Sequence, residues 1–180
     1  MFSSTQEERN ASFPSQCMTM AKVPGCSTPY RAGLIDAWEE LGVQEVRFTI
    51  IVNSTWTQEI VFNGLDSNKT SWYSGNRVES SSWTDVTDTQ TYLYFSVNGY
   101  SSTSVNRLWA ITYSHGGCEG DLGWFMASYN PFAGCSYDRT LDLSPYPVLL
   151  VCPKSTKCKM HSETVKADAF AVAIKADKLK

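Results

Sequence analysis

The chain has 180 residues, which is enough for one domain of ordinary size. Its 15 basic and 18 acidic residues give a net charge of −3, and this balance argues against nucleic-acid binding, which needs a basic surface. No apolar run reaches the roughly 18 residues of a transmembrane helix, so we expect no membrane span. Charged residues make up only 18% of the chain and aromatic residues 13%, which is typical of an extracellular β-protein.

The N-terminal part of the chain differs from the rest. Residues 1–29 are polar and contain proline, which predicts an irregular arm held on the body by a Cys17–Cys26 disulfide. Residues 30–175 form the predicted body of the single domain. Apolar residues at helical spacing within Arg31–Leu41, followed by Gly42, predict its one helix.

After this helix the pattern changes to the alternation of β-strands. Residues 46, 48, 50 and 52 of Val46–Val52 are predicted to line one face of a strand. Asn63-Gly64 and Asn98-Gly99 indicate turns. The further strands predicted before the centre of the chain are Gln58–Phe62, Ser71–Tyr73, Arg77–Val78, Ser82–Val86 and Thr91–Val97.

A glycine-rich hairpin follows. Leu108–Tyr113 and Trp124–Tyr129 are aromatic runs that flank the polar loop Ser114–Asp121. Val148–Cys152 and Ala167–Ala173 are the last predicted strands, and residues 176–180 a frayed tail. The chain therefore reads as mainly β: a β-sandwich or small β-barrel of about nine short antiparallel strands, one N-terminal helix and three local disulfides.

The six cysteines fall into three closely spaced pairs, Cys17–Cys26, Cys118–Cys135 and Cys152–Cys158. Fifteen connectivities are formally open, and pairing between neighbours rearranges the chain least. A zinc site is disfavoured, because there is no C-x-x-C motif and the two histidines share no ligand spacing with the thiols.

Three N-glycosylation sequons begin at Asn10, Asn53 and Asn68. They agree with the cysteines in predicting a secreted glycoprotein. The first residues, MFSSTQEERN, lack the apolar segment of a signal peptide. We therefore expect a mature secreted chain written without its leader.

The hairpin loop is the first place to look for catalytic residues. His115 and Asp121, with Glu119 between them, could form a general base and its carboxylate partner, and Tyr113 or Tyr129 could orient a substrate. The commoner role of acidic residues in such a loop is to stabilise a turn. The sequence contains no standard catalytic signature and no dinucleotide-binding fingerprint, so no cofactor is expected.

Aromatic residues are the candidates for ligand binding, because their rings offer a flat apolar face and a polar edge. Most aromatic residues nevertheless fill protein cores, and this alternative applies to each of them. The candidates are Trp83, Tyr94, Trp109, Trp124 and Tyr129.

Several phrases resemble a family of small secreted proteins from snails and other molluscs. The most specific is Gly116–Trp124, and the resemblance extends over about Leu34–Ile174. The others are Leu34–Trp38, Ile60–Gly64, Trp72–Ser74, Ser82–Asp85 and Ala167–Ala171. In this setting the one connected activity is that of a freshwater-limpet luciferase, which implies oxidation of a small terpenoid enol ester by O₂ but assigns no residue here.

Three functions remain open from the sequence. The protein could bind a small apolar ligand in an aromatic-lined cavity. It could be a cofactor-independent oxygenase of luciferase type, with O₂ as co-substrate and His115 as base. It could instead bind glycans through exposed aromatic rings, as a lectin does.

Overall fold

A computed structural model of the chain describes residues 33–54, 56–86, 91–102, 105–130, 134–139 and 147–177. In these ranges the fold is mainly β, with antiparallel sheets and a short N-terminal helix, as predicted. A 3₁₀ turn, Gly33–Ala37, leads into α1 (Trp38–Leu41). The strands are β1 (Val43–Val52), β2 (Trp56–Asn63), β3 (Val78–Ser81), β4 (Tyr94–Ser96), β5 (Tyr100–Ser101), β6 (Asn106–Ser114), β7 (Leu122–Ser128), β8 (Val148–Val151), β9 (Cys158–Lys159), β10 (Val165–Ala167) and β11 (Ala169–Ala176).

The first sheet has the strand order β11-β1-β2-β3. Strand β1 lies in its middle and pairs with β2 and β11, with Phe48 opposite Ile60 and Val172. Residues 46, 48, 50 and 52 of β1 are all buried, which confirms the predicted alternation. One face of this sheet therefore supplies the core.

The second sheet has the order β10-β8-β7-β6-β4, with β5 also paired to β6 and β9 to β7. Its centre is the predicted hairpin, formed by β6 and β7. Both sheets contribute to one hydrophobic core, where the ring centroids of Phe48 in β1 and Phe125 in β7 are 5.2 Å apart. Among the described residues no helix is long and apolar enough to cross a membrane.

The opposite face of the second sheet, here called the outer face, is also partly covered. Residues 123–128 of β7 are all buried. A second cluster lies on this face, made of Ala110, Met126, Leu150 and Met160, with Tyr94 and Tyr137 packed against it. Strand β7 is therefore buried on both faces, whereas a strand of an antiparallel sheet commonly has one face in solvent.

Two of the three expected disulfides are confirmed. Cys118–Cys135 ties the hairpin loop to the segment 134–139, and Cys152–Cys158 closes the loop after β8. Cys17–Cys26, the N-terminal arm and the sequon at Asn10 lie outside the described residues.

Two predicted strands are turns instead. The Oδ1 of Asn68 accepts hydrogen bonds from the backbone N–H groups of Thr70 and Ser71. Because these bonds stabilise a turn, residues 71–73 are bent rather than extended. Residues 82–86 are bent as well, because Asp85 accepts bonds from the Trp124 indole and the Lys157 backbone N–H.

Three other boundaries were wrong. The predicted helix over 31–41 is only a 3₁₀ turn and one α-helical turn, since Gly42 adopts φ +64° and β1 begins directly after it. The strand predicted at Arg77–Val78 begins at Val78 and continues to Ser81, because Arg77 ends a 3₁₀ turn. Strand β11 continues through Ala176, past the expected start of the tail, because Val43 pairs with this residue.

Candidate functional site

A buried ionic cluster lies on the outer face of the second sheet. It consists of Arg107 on β6, Asp121 at the end of the hairpin loop, and Tyr137 and Asp138 in the segment 134–139. The Arg107 Nε donates to Asp138 Oδ2 at 2.5 Å and its Nη1 to Asp121 Oδ2 at 3.0 Å. Its Nη2 donates to the Tyr137 hydroxyl and to Cys135 Sγ. One guanidinium thus joins three separate segments of the chain.

The cluster is almost shut off from solvent. Arg107 is 6% exposed, Asp121 3% and Asp138 0%. Burial opposes the charge of Arg107, but the neighbouring Asp138, Tyr137 and Asp121 raise its pKa above the ordinary value. Burial and the hydrogen bond to Asp121 raise the pKa of Tyr137. Within the described residues Asp121 Oδ1 and Asp138 Oδ1 accept no hydrogen bond.

Three rings beside this cluster form an aromatic patch, defined as Tyr94, Tyr100 and His115. The Tyr94 ring centroid lies 6.0 Å from that of Tyr100 and 5.5 Å from that of His115. Tyr100 is 38% exposed, and His115 is also exposed. The patch therefore presents rings from β4, β5 and the hairpin loop to solvent.

The patch and the ionic cluster are electrostatically coupled through His115. Partial desolvation lowers the pKa of His115, the nearby Asp121 raises it, and Arg107 lowers it, with a net shift downward. The imidazole is therefore mostly neutral at pH 7. Its ring can stack and form hydrogen bonds without bringing a positive charge to the patch.

The structure places the predicted catalytic residues in two groups. His115 and Asp121 are close enough to interact. Tyr113 belongs to another group, where the Lys157 Nζ lies 4.7 Å from the Tyr113 ring centroid and Tyr113 meets Trp124 edge to face. Tyr129 follows β7 and is 37% exposed.

Three predicted ligand-binding tryptophans lie in or against the core between the sheets. Trp83 donates to the Cys152 carbonyl at 3.0 Å, and Trp124 donates to Asp85. Trp109 stacks on Phe48 with 6.0 Å between ring centroids. These indoles pack against other residues of the protein, as expected if they belong to the core rather than to a ligand-binding site. Tyr94 is the predicted ligand-binding residue that belongs to the patch.

Within the described residues two open clefts lie elsewhere, at positions that the sequence analysis did not propose as binding sites. One, of about 470 Å³, adjoins Trp38 and residues 64–68. The other, of about 310 Å³ and here called the serine cleft, is lined by Thr70, Ser71, Tyr73, Ser74, Phe95, Ser96, Val97 and Asn98. The Asn98-Gly99 turn was the one feature of the serine cleft that the sequence indicated. Its position next to residues 70–74 depends on tertiary packing and could not be predicted.

The sequon asparagines Asn53 and Asn68 are both exposed. In the part of the chain that the structure describes, no group of three or more His, Cys, Asp and Glu side chains is placed to hold a metal ion.

No family model, no curated protein and no solved structure matches this chain.

Proposed function

We propose that the protein is a binding domain that recognises a carbohydrate at the aromatic patch. The observation that carries this proposal is the grouping of three rings on one solvent-facing site, with two of them exposed. Tyrosine and histidine rings offer apolar faces on which the C–H face of a sugar stacks, and polar edges that hydrogen-bond to its hydroxyl groups.

The ionic cluster supports the proposal by holding the patch in place. Asp121 lies at the end of the loop that carries His115, and Arg107 fixes Asp121 to β6. A preformed site loses less conformational entropy when a ligand binds.

An aromatic-lined cavity for a small apolar ligand, the first function considered from the sequence, has less support. Trp83, Trp109 and Trp124 pack in or against the core. Neither of the two clefts described above is lined by any of them.

The proposal is tested by measuring glycan binding of the disulfide-bonded protein on an array, followed by titration of the best glycan. Tyr100→Ala is expected to weaken binding about two- to twelvefold, because stacking on a single ring contributes on the order of 0.5–1.5 kcal/mol. Tyr100→Phe, which keeps the ring, is expected to retain most of the affinity.

The matched control is Val165→Ala on β10, at the opposite edge of the same sheet, where Val165 has the same 38% exposure as Tyr100. Its affinity should equal that of the unmodified protein. An array on which no glycan binds, or equal losses for Tyr100→Ala and Val165→Ala, would refute carbohydrate recognition at the patch.

A cofactor-independent oxygenase of luciferase type is the second candidate, favoured by the lowered pKa of His115. A neutral imidazole can take a proton from an enol-type substrate that then reacts with O₂. The test is oxygen uptake or light with terpenoid enol esters. His115→Ala should abolish turnover and leave the melting temperature nearly unchanged, whereas retained turnover would exclude His115 as the base.

Three finer features belong to the same proposal. We infer a secreted glycoprotein, because two disulfides and two exposed sequons suit an oxidising compartment. We infer a β-sandwich, because both sheets share one core and no strand pairing joins them in the described ranges. Kinship with the secreted mollusc proteins also remains a proposal.

A further inference from the structure

The serine cleft lies between the turn at residues 70–74 and the end of β4 with the bend that follows it. Residues 70–74 form one wall and residues 95–98 the other. The rings of Tyr73 and Phe95 meet edge to face beneath it, with centroids 5.2 Å apart. The volume of about 310 Å³ is at the lower end of the range for small-molecule sites.

Two of the hydroxyl groups around the cleft can donate a hydrogen bond to a ligand. Ser96 Oγ accepts from the backbone N–H groups of Asn98 and Gly99, and Ser71 Oγ accepts from that of Asn68. In the described part of the chain neither hydroxyl donates a hydrogen bond. Both side chains are therefore held in position while their O–H groups remain available to a ligand.

Two other hydroxyl groups can accept a hydrogen bond from a ligand. Thr70 Oγ1 donates to Asn68 Oδ1, and Ser74 Oγ donates to Asn76 Oδ1. Their protons are used, and their oxygen lone pairs can receive a proton from a ligand. The cleft thus combines fixed donors with fixed acceptors, and the Asn98 amide at its edge supplies both.

The chemistry of the walls selects the kind of ligand. None of the eight lining residues is charged, so nothing in the walls would compensate the desolvation of an ionic ligand. A hydroxyl group both donates and accepts, and a ring of carbon atoms suits the apolar Phe95 and Val97. We propose that the serine cleft binds one unit of a neutral, polyhydroxylated ring, a neutral sugar, at a site separate from the aromatic patch.

The test is a titration of isotope-labelled protein followed by backbone amide chemical shifts. The probes are methyl β-glucopyranoside, glucuronate and cyclohexanol, which share a six-membered ring and differ in charge and hydroxyl number. The glucoside is expected to shift the amides of residues 70–74 and 95–98 at lower concentration than the other two probes. Equal responses to all three, or no shift in these residues, would overturn the assignment.

Variants then separate the serine cleft from the patch. Ser71→Ala and Asn98→Ala are each expected to weaken glucoside binding about three- to tenfold, the worth of one hydrogen bond. Ser80→Ala, an exposed serine on β3, is the control and should leave the affinity unchanged. The side chain of Asn98 has no hydrogen-bond partner in the described residues, so its removal should not affect folding.

The result also distinguishes this inference from the proposed function. Shifts at 70–74 and 95–98 that persist in Tyr100→Ala would support the cleft whether or not the patch binds glycans. Shifts confined to Tyr94, Tyr100 and His115 would overturn the cleft and leave the patch standing.

Discussion

Trp109 has a backbone conformation that its side chain disfavours, and this gives a sharp prediction. It lies in β6 with φ +51°, at a bulge where residues 109 and 110 stand between the pairs Leu108–Ala127 and Ile111–Phe125. In bulges of this kind the residue with positive φ is usually glycine. Tyr73 holds the conformation by donating to the Trp109 carbonyl at 2.9 Å.

We compare Trp109→Gly with Trp109→Ala. Both lose the stacked indole and its packing, at about 3–5 kcal/mol, so this loss largely cancels between them. The Cβ of alanine costs roughly 1–2 kcal/mol at positive φ, while glycine costs about 0.5–1 kcal/mol through the entropy of the unfolded chain. Trp109→Gly should therefore be the more stable of the two, by about 0.5–1 kcal/mol.

Urea unfolding monitored by fluorescence of the remaining tryptophans measures the difference. The control is the same pair of substitutions at Leu108, its neighbour in β6, which is not among the residues with positive φ. At Leu108 the free energy of unfolding should be higher for the alanine variant than for the glycine variant, by about 0.5–1 kcal/mol. If the alanine variant is more stable than the glycine variant by the same margin at both positions, the backbone at Trp109 is not strained and the prediction is wrong.

Two further predictions concern pH and reduction. Burial raises the pKa of Tyr73 and Tyr137 in the folded state, so the contribution of these two tyrosines to stability should be constant below about pH 10 and fall above it, by up to ~1.4 kcal/mol per pH unit and tyrosine. Urea unfolding from pH 8 to 11.5 should show a shallower fall for Tyr73→Phe, and an unchanged slope would contradict burial of a neutral phenol. Limited dithiothreitol followed by alkylation and mass spectrometry should reduce Cys118–Cys135 first, because Cys118 is exposed whereas Cys152 and Cys158 are 0% exposed. Earlier or simultaneous alkylation of Cys152 and Cys158 would contradict this order.

The sequence predicted those parts of the fold that depend on local pattern. Alternation in Val46–Val52 identified the buried face of β1, because one face of that strand meets the core and the other does not. The glycine-rich loop marked the central hairpin, and the spacing of the cysteines indicated two disulfides correctly. Each of these signals lies within a short stretch of chain.

The errors arose where tertiary contacts override local preference. Trp72 and Tyr73 have the aromatic character of a strand, yet they lie in a turn because their rings fill the core between the sheets. Strand β7 has no polar side chain before Ser128, and this pattern did not reveal that a second cluster covers its outer face. The packing partners of these residues are distant in sequence, so no local pattern contains them.

The candidate site was predictable only in part for the same reason. His115 and Asp121 stood out because they share one loop with glycines and a cysteine. Arg107 did not, since its carboxylate partners are 14 and 31 residues away. Tyr100 was missed because its role in the patch follows from the pairing of β5 with β6, which brings it near Tyr94.

The buried ionic cluster has more to do with positioning than with stability. Removing two carboxylates and a guanidinium from water costs about as much free energy as their attraction returns, so apolar residues of the same volume would stabilise the fold equally well. Hydrogen bonds differ from apolar packing in having direction. Arg107 fixes Asp121 and Asp138 relative to β6 at defined angles, while Cys118–Cys135 joins the same two segments covalently. Both devices hold the loop of His115 beside Tyr94, which is the arrangement that a preformed binding surface requires.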